Sequence, residues 1–480
     1  MQALIVCLAL LLVVGCAKNP VSGGKDFVLL SEAQEIGIGQ RADLDIRKQY
    51  RVYTSKTHDA AKLQEYVNRI GQKIARASHR PHLQFHFTVL DSPEINAFAL
   101  PGGYVYVTRG ILAYLNSEAE LAAVLGHEIG HVTARHGVRQ SSAAQAGNIG
   151  LTIASIFVPQ IGSGAGQDLS NALSNALLSG YGREHELEAD RLGAEYLART
   201  EYDPQAMIKL IGVLKNQELF DAQRAKSEGR EARRYHGVFA SHPNNDKRLH
   251  EVVEESRHLT VANPKEGRAE YMQHIDGMVF NESSEQGVLR NNLFLHGELG
   301  VAVQFPASWR IENSSDKLIA VSPRVEAMLE LVVDTQHKGQ PADIARQITR
   351  FDARNSQLET QSINQLPAAM VTQPVAVTGV IHLDQKNYVI AGKTKTPEMF
   401  AAHRADMIKT IKSFHAITAQ ERALARPVTL KVITTKAGDQ YSKMAQNSPL
   451  GNHAESYLRL INAHFPQGEP APGQQIKVVH

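Results

Sequence analysis

Two histidines and a glutamate stand at a spacing that suits metal-dependent hydrolysis. His127, Glu128 and His131 form an H-E-x-x-H pattern inside the largely apolar segment 121–132. Positions four apart share one face of an α-helix, so both imidazoles can bind one ion while Glu128 lies beside it as a base. A helix with two surface histidines would show the same short pattern, so the flanking sequence has to distinguish the two interpretations.

The residues before the pattern predict a well-defined helix. Ser117 is a favourable N-cap and Glu120 follows three positions later, which is the arrangement of a capping box. Apolar residues then recur at helical spacing and predict a buried stripe. Gly126 and Gly130 each cost the helix on the order of 1 kcal/mol relative to alanine, which indicates close packing beside the candidate site. The helix is therefore predicted independently of the metal-binding pattern.

A third protein ligand is needed, because a catalytic zinc ion usually binds three protein groups and keeps one position for water. Glu186 and Asp190 offer it, four positions apart on a second predicted helix. One carboxylate can bind the metal while the other accepts a hydrogen bond from a ligand histidine and fixes its tautomer. A charged, solvated helix face is the alternative for this pair.

Three further parts of the sequence, together with these motifs, resemble the pattern of a known family. They are the opening segment at 19–38, the strand pair at 96–110, and His242 next to a proline with Arg248 six residues later. With them, residues 19–255 resemble the zinc metallopeptidase family typified by the CAAX-prenyl endopeptidases, which are gluzincins. The similarity is greatest to the soluble bacterial branch of envelope lipoproteins.

The resemblance implies a role for each matched side chain. His127, His131 and Glu186 would bind one Zn²⁺ ion per chain, and Glu128 would be the general base. Asp190 would contact His127 on the side away from the ion. Water activated by the metal would then attack the peptide carbonyl without a covalent acyl-enzyme.

His242 has two roles in the resembled family. It either stabilises the oxyanion or occupies the open coordination position and keeps the enzyme silent, and Arg248 would shape the same wall. The alternative is that His242 is an ordinary loop histidine beside a proline, without a role at the metal site. A variant without the imidazole separates the first two roles, because activity would fall in one case and rise in the other.

The strand pair implies a substrate-binding surface. Residues 102–107 alternate as a strand does. In the resembled family such a strand is a sheet edge that pairs with extended substrate through backbone hydrogen bonds. Asn96, Gly102, Gly103 and Tyr104 are therefore the candidate substrate-binding residues.

Two further histidines lie close to the candidate ligands but off their spacing. We interpret His136 and His185 as structural or solvated residues. The sequence offers no G-x-S-x-G elbow, and its two cysteines leave none for a cysteine nucleophile, so serine and cysteine hydrolase chemistry finds no support.

The first residues predict export. Residues 1–15 contain an apolar core that is too short to span a bilayer comfortably, which is typical of a signal peptide. Cys16 follows a segment that resembles a lipobox, so we expect lipidation there, although Val14 is larger than the pattern prefers and no Lys or Arg precedes the core. An uncleaved short anchor is the alternative. Residue 17 is alanine and not aspartate, which by resemblance to known lipoprotein sorting rules implies the outer membrane. The expected location is therefore the periplasm, with a lipid anchor at the outer membrane.

Composition and element patterns predict several domains. A formal charge of +2 without a long basic block argues against nucleic acid as a partner. The fold class is α+β: a mainly helical zincin-like peptidase domain with a small sheet, then a small α+β domain of unknown role and a C-terminal module that resembles LysM glycan-binding modules. The predicted limits are 16–255 for the peptidase, 256–290 for a connector, 291–418 for the α+β domain and 425–480 for the LysM-like module.

Two segments are predicted in more detail. Residues 140–180 are rich in Ser, Ala and Gly and are interpreted as a helical hairpin or lid over the cleft, or alternatively as a segment that touches the membrane surface. The LysM-like module implies contact with peptidoglycan, although its middle is longer than the usual pattern. Helices of the peptidase part are predicted at 31–48, 59–78, 111–137, 183–199 and 203–220.

The sequence supports two functions from different classes. The first is a zinc-dependent endopeptidase of the bacterial envelope that hydrolyses unfolded or misassembled envelope proteins. The second is a chaperone-like outer-membrane assembly factor with a latched, mostly silent zinc site. A purely structural zinc site is disfavoured, because such sites prefer closed ligand sets rich in cysteine.

Overall fold

The computed structural model describes residues 16–28, 30–55, 58–147, 181–227, 258–283, 286–313 and 317–480. The chain divides into two compact units. The first comprises Met1–Asn281 together with Val428–His480, and the second comprises Glu282–Pro427. The C-terminal segment thus belongs to the same unit as the H-E-x-x-H pattern. The predicted signal peptide lies outside the described residues, as does the predicted lid from residue 148 onwards.

Helices dominate the part of the first unit before residue 282. In chain order they are α1 (Glu32–Gln49), α2 (Ala60–Arg76), α3 (Arg109–Tyr114), α4 (Glu118–Thr133), α5 (His136–Gly147), α6 (Arg183–Arg199), α7 (Ala206–Ser227) and α8 (Arg268–Ile275). The predicted helix at 111–137 is divided into α3, α4 and the start of α5. Within the described residues, none of the helices combines the length and apolar character needed to cross a membrane.

The strands of this part form small sheets. They are β1 (Cys16–Lys18), β2 (Lys25–Phe27), β3 (His86–Leu90), β4 (Ala97–Leu100), β5 (Tyr104–Thr108) and β6 (Val279–Phe280). β1 and β2 form an antiparallel pair. The order β3-β5-β4 makes β5 the central strand, parallel to β3 and antiparallel to β4.

The expectation that residues 102–107 form a sheet edge is therefore wrong. Gly102 and Gly103, with φ of +82° and +101°, make the turn that folds β4 back onto one side of β5. The other side of β5 pairs with β3, which precedes both strands in the chain. Among the described residues β3 and β4 are the outer strands of this sheet. Val52 bridges Leu90 of β3, so the candidate substrate edge moves to β4, residues 97–100.

The second unit is a mixture of strands and helices. Its elements are β7 (Val288–Arg290), β8 (Leu293–His296), β9 (Val301–Gln304), β10 (Arg310–Asn313), β11 (Lys317–Val321), β12 (Ala327–Asp334), α9 (Pro341–Thr349), β13 (Gln357–Ile363), β14 (Leu366–Gln373), β15 (Ala376–Leu383), β16 (Lys386–Thr394), α10 (Pro397–Ser413), β17 (His415–Ala416) and α11 (Ala419–Leu424). One sheet has the order β10-β11-β12-β16-β15-β14-β13 and the other the order β17-β9-β8-β7. An α+β architecture is confirmed at this level.

The C-terminal segment returns to the first unit. It contains β18 (Val428–Thr434), α12 (Tyr441–Ala445), α13 (Ala454–Ile461) and β19 (Gln475–Val479). β18 pairs antiparallel with β19 on one side and with β6 on the other. Its buried residues, among them Leu430 and Ile476, belong to the same hydrophobic core as the helices around the H-E-x-x-H pattern. The LysM-like interpretation of this segment stays a prediction.

The described residues of the predicted connector 256–290 form regular elements. They include α8, β6 and β7, and Tyr271, Met272 and Ile275 of α8 are completely buried. The polar residues around these three side chains conceal their helical spacing in the sequence. The part of this segment up to Asn281 therefore contributes to the core of the first unit, whereas β7 belongs to the second unit.

Candidate metal centre

Three predicted ligands converge between α4 and α6. The Nε2 atoms of His127 and His131 lie 3.1 Å apart. The Glu186 carboxylate reaches both, with Oε2 at 3.6 Å from Nε2 of His127 and Oε1 at 3.4 Å from Nε2 of His131. All three side chains are buried, and the donor atoms lie within 4.8 Å of one another. Within the described residues, His127, His131 and Glu186 form the candidate metal site.

The chemistry of this donor set fits a divalent cation. Two imidazole nitrogens and one carboxylate oxygen are a common protein ligand set for catalytic zinc, which leaves a position for water. A carboxylate with no exposed surface is costly to charge unless a cation or strong donors balance it. The residues therefore fit the group that the sequence analysis expects.

Close helix packing brings the ligands together. A Cβ atom at Gly126 would lie 3.3 Å from Cα of Gly193, and one at Gly130 would lie 3.0 Å from the carbonyl oxygen of Ala189. Any larger side chain on this face of α4 would push α6 outwards. The expectation that both glycines of the pattern serve close packing near the site is consistent with these distances.

Asp190 lies behind His127. Its Oδ1 atom is 2.8 Å from Nδ1 of His127, on the opposite side of the ring from Glu186. A proton on Nδ1 leaves the lone pair of Nε2 available for a metal. The spacing of Glu186 and Asp190 on one helix therefore places one carboxylate in front of the ring and one behind it.

Glu128 follows His127 on the same buried helix. Its side chain is 2 % exposed. Its negative charge also acts on Tyr181. Burial, together with the negative charges of Glu128 and Glu186, raises the pKa of the Tyr181 phenol. The Tyr181 ring also stacks on His131, with centroids 4.1 Å apart and planes 18° from parallel. Tyr181 is thus a protonated residue beside the candidate centre, and sequence reasoning did not single it out.

The sequence also did not predict the position of His136 next to His131. The side chain is fully buried, and its Nδ1 lies 2.8 Å from Nδ1 of His131. Five positions do not place two residues on one helix face, so spacing gave no signal. α4 ends at Thr133, and Arg135 with φ of +58° turns the chain so that α5 begins with His136 beside His131. His185 stacks on His136 at 4.4 Å, and burial lowers the pKa of His185 to about 4.

The start of α4 is fixed by side chains on both sides. Ser117 Oγ accepts from the Glu120 amide at 3.2 Å, as the predicted N-cap requires. The reciprocal bond of the predicted capping box differs, since Glu120 Oε2 accepts from the amide of Asn116 at 2.7 Å instead of that of Ser117. The carboxylate of Glu120 thus holds the loop before the cap.

An ionic cluster holds the other end of α4. Arg80 Nη1 donates to the Val132 carbonyl at 3.0 Å and to Glu35 Oε1 at 2.9 Å. Arg135 Nε donates to the second oxygen of Glu35 at 2.9 Å. Because Glu35 lies on α1, the cluster ties α1 to the C-terminal end of the ligand-bearing helix.

The candidate substrate residues take structural positions around β5. Gly103 accepts a backbone hydrogen bond from His86 of β3, and Tyr104 stacks on the His86 ring at 4.8 Å. A Cβ atom at Gly102 would lie 2.8 Å from Cα of Ile36, so this glycine allows α1 to approach. Asn96 accepts from the amide of Thr108 at 3.0 Å.

The outer strand β4 lies closer to the candidate centre. Since the Asn96 carbonyl faces β5, the alternation of an antiparallel ladder directs the peptide groups of Ala97 and Ala99 away from β5. Ala99 also lines a small cavity together with His131 and Tyr181. Ala99 of β4 thus lies close to the candidate ligand His131.

Three predicted site residues cannot be placed beside these groups. His242 and Arg248 lie outside the described residues. Cys16 is the first residue of β1, and its lipidation stays a prediction.

A buried H-E-x-x-H helix crossed by a second helix that brings in a glutamate defines the class of the metallopeptidases. Residues 61–256 match the model of Peptidase family M48. The matched segment includes the three convergent ligands, Glu128 and Asp190.

Relatives and a solved structure are similar to parts of the chain. The beta-barrel assembly-enhancing protease of Yersinia pestis is 31% identical over 253 residues, which cover 48% of this chain and 49% of that protein. The mitochondrial metalloendopeptidase OMA1 of Schizosaccharomyces pombe is 31% identical over 241 residues, covering 49% of this chain and 65% of that protein. The solution structure of PsbP from Synechocystis matches 27% of this chain and 95% of its own with a TM-score of 0.21 at 11% identity. This chain spans about half the length of the Yersinia pestis relative.

Proposed function

We propose that the protein is a zinc-dependent endopeptidase of the bacterial cell envelope. The observation that carries the proposal is the convergence of His127, His131 and Glu186 within 4.8 Å of one another, on the helices that also carry Glu128 and Asp190. The match of residues 61–256 to the model of Peptidase family M48 supports the same activity.

The three convergent side chains would hold the ion. When bound, zinc polarises a peptide carbonyl and lowers the pKa of its water towards about 7. Asp190 keeps the proton of His127 on Nδ1, so that Nε2 has its lone pair available. The burial of the set excludes bulk water from the reacting carbonyl.

Glu128 is the proposed general base. Its carboxylate takes one proton from the attacking water as the water oxygen bonds to the carbonyl carbon. The carbon–nitrogen bond then breaks, and the same proton goes to the departing amine. The products are one carboxylic acid and one amine, and no bond forms between enzyme and substrate.

Extended peptide is the proposed substrate form. The outward peptide groups of Ala97 and Ala99 can pair with a peptide as one further antiparallel strand. That pairing needs about four residues in extended conformation, which unfolded or loop segments provide and a folded core does not. Gly102, Gly103 and Tyr104 would support this edge from the turn and the central strand.

Unfolded or misassembled envelope proteins are the proposed substrates. Support comes from the printed name of the Yersinia pestis relative, which refers to beta-barrel assembly. The predicted signal peptide and the lipidation of Cys16 agree with a lipid-anchored protein in the periplasm at the outer membrane. Contact of residues 425–480 with peptidoglycan is part of the same proposal, and a charge of +2 disfavours nucleic acid.

A chaperone-like assembly factor with a latched zinc site is the second candidate. The observation that favours it is the burial of the ligands, since His127 is the most exposed of the three at 4 %. In that case His242 would be the latch, and cleavage would be slow until the site opened.

The Glu128→Gln variant tests the activity. We expect it to keep wild-type zinc content and to lose about 10²–10⁴-fold in cleavage of casein as an unfolded substrate. Glu184→Gln, an exposed acid on α6, is the matched control and should behave as wild type. Chelator-treated wild type should be inactive and should recover with zinc. Undiminished hydrolysis by Glu128→Gln, or wild-type hydrolysis that persists without metal, would refute the proposal.

A further inference from the structure

A chain of hydrogen-bonding groups runs from His131 away from the candidate centre. Nδ1 of His131 lies 2.8 Å from Nδ1 of His136, and Nε2 of His136 lies 3.1 Å from Oε2 of Glu188. Arg139 donates to the same carboxylate oxygen at 2.9 Å. The chain therefore joins α4, α5 and α6 through side chains alone.

The proton positions along this chain depend on one another. Glu188, when ionised, can only accept, so Nε2 of His136 must carry the proton that it donates. In a neutral imidazole the other nitrogen is then an acceptor, so Nδ1 of His136 accepts the proton of His131 Nδ1. The remaining nitrogen of His131, Nε2, keeps its lone pair, and it is the atom that faces His127 and Glu186.

Both candidate histidine ligands are thus held in the tautomer with the proton on Nδ1, although by different contacts. Asp190 contacts His127 directly at 2.8 Å. The carboxylate of Glu188 acts on His131 through the intervening imidazole of His136. The Tyr181 ring stacks on the His131 ring at a centroid distance of 4.1 Å and restrains the plane of that ring. Both the proton position and the ring plane of His131 are therefore held from outside the ligand set.

We propose that His136 and Glu188 are positioning residues that fix the tautomer of His131 and thereby set the affinity of the site for zinc. The inference rests on the proposed function, because it takes His131 to be a metal ligand. It assigns a role to His136 that its position in the sequence does not indicate. Groups that orient ligand histidines typically contribute 10–100-fold to metal affinity.

The test compares His136→Leu with His136→Gln. Leucine removes both hydrogen bonds, whereas the glutamine amide has an oxygen that can accept from His131 and an NH₂ group that can donate to Glu188. Zinc affinity is measured by competition with a chromophoric chelator, and the stability of each metal-free protein is measured by thermal unfolding. We expect His136→Leu to bind zinc 10–100-fold more weakly and His136→Gln to stay within a few-fold of wild type.

Glu188→Ala provides a second variant that is less exposed to folding defects, because its side chain is partly solvent-accessible. We expect a several-fold loss of zinc affinity, since His136 could then adopt either tautomer. Glu184→Ala, which removes an exposed acid in the first turn of the same helix, is the matched control and should not change affinity.

Wild-type zinc affinity in His136→Leu would overturn the inference, as would an equal loss in His136→Gln and His136→Leu. A fall in metal-free stability with unchanged zinc affinity would show a merely structural role and would also overturn it. Failure of the proposed function has a different signature, because wild type itself would then bind no zinc.

Discussion

Gly126 of α4 and Gly193 of α6 meet backbone to backbone, since a Cβ atom on Gly126 would lie 3.3 Å from Cα of Gly193. Seven residues before Gly193, the same helix presents Glu186 to the two histidines of α4. The separation of the two helix backbones therefore sets the distance between the imidazoles and the carboxylate.

Replacing Gly130 by alanine should disturb this crossing. The new Cβ atom would lie 3.0 Å from the carbonyl oxygen of Ala189, and neither helix backbone can yield locally. We expect a loss of about 1–3 kcal/mol in the free energy of unfolding and weaker zinc binding. Urea unfolding and zinc titration measure the two effects. Gly212→Ala, in α7 with no atom near the new Cβ, should instead gain up to about 1 kcal/mol. Equal behaviour of the two variants would contradict the crossing argument.

Removing the carboxylate ligand should abolish stable metal binding. In Glu186→Ala the two imidazoles remain but the charged donor is lost, so we expect zinc affinity to fall by more than about 100-fold. Metal content after dialysis, determined by elemental analysis, gives the answer. Glu195→Ala, which removes an acid on the same helix that pairs with Arg199, should retain one ion per chain. Full zinc content in Glu186→Ala would show that the third ligand lies elsewhere.

Lys477 should tie the C-terminal segment to the helices before the H-E-x-x-H pattern. Its buried Nζ donates to the carbonyls of Ala113 at 2.8 Å and Leu115 at 2.6 Å. Burial lowers the pKa of Lys477, while the negative charge of Glu120 opposes this shift. In Lys477→Met both carbonyls lose this donor, and we expect a loss of at least about 2 kcal/mol in unfolding free energy.

Chemical denaturation of Lys477→Met measures this loss. The exposed Lys431→Met on the neighbouring strand is the control and should change stability by less than about 0.5 kcal/mol. If Lys477→Met is as stable as the control, residues 428–480 do not support the rest of the first unit through this contact.

Glu118 should make the stability of the first unit depend on pH. Burial raises the pKa of its carboxyl group, but hydrogen bonds from Lys265, Tyr202 and Tyr66 outweigh burial, so the pKa is lowered overall. A group whose pKa is lower in the folded state stabilises the protein above its unfolded pKa, near 4.5, and this contribution is lost as the pH falls. Glu118→Gln should therefore be destabilised most at pH 7.

Urea unfolding of Glu118→Gln and wild type between pH 7 and pH 3 tests the sign. The difference between them should narrow below about pH 4.5. Glu266→Gln removes an exposed acid that pairs with Lys209 and should show little difference at any pH. A gap that widens towards acid pH would contradict the lowered pKa.

Several features of the site follow from local geometry. The four-residue spacing of His127 and His131, and of Glu186 and Asp190, fixes which side chains share a helix face, whatever the rest of the chain does. The N-cap at Ser117 is equally local, because its hydrogen bond spans three residues. Such features can be predicted from the sequence, and the structure places these side chains as the spacing indicates.

Other features depend on residues that are distant in the chain. The alternating pattern of residues 102–107 predicts a strand but not its neighbours, and pairing with β3 makes that strand central. Likewise, the polar segment around α8 acquires a buried face only because other elements cover it.

The sequence by itself determined the ligand candidates, the candidate general base and the helices that carry them, because these depend on a repeat of about 3.6 residues within one element. Only the tertiary structure decided that β4 is an outer strand while β5 is central, that His136 stands behind His131, and that Lys477 enters the first unit from the far end of the chain. Those contacts join segments whose relative position is set by packing and by the pairing of buried polar groups, which local periodicity does not encode.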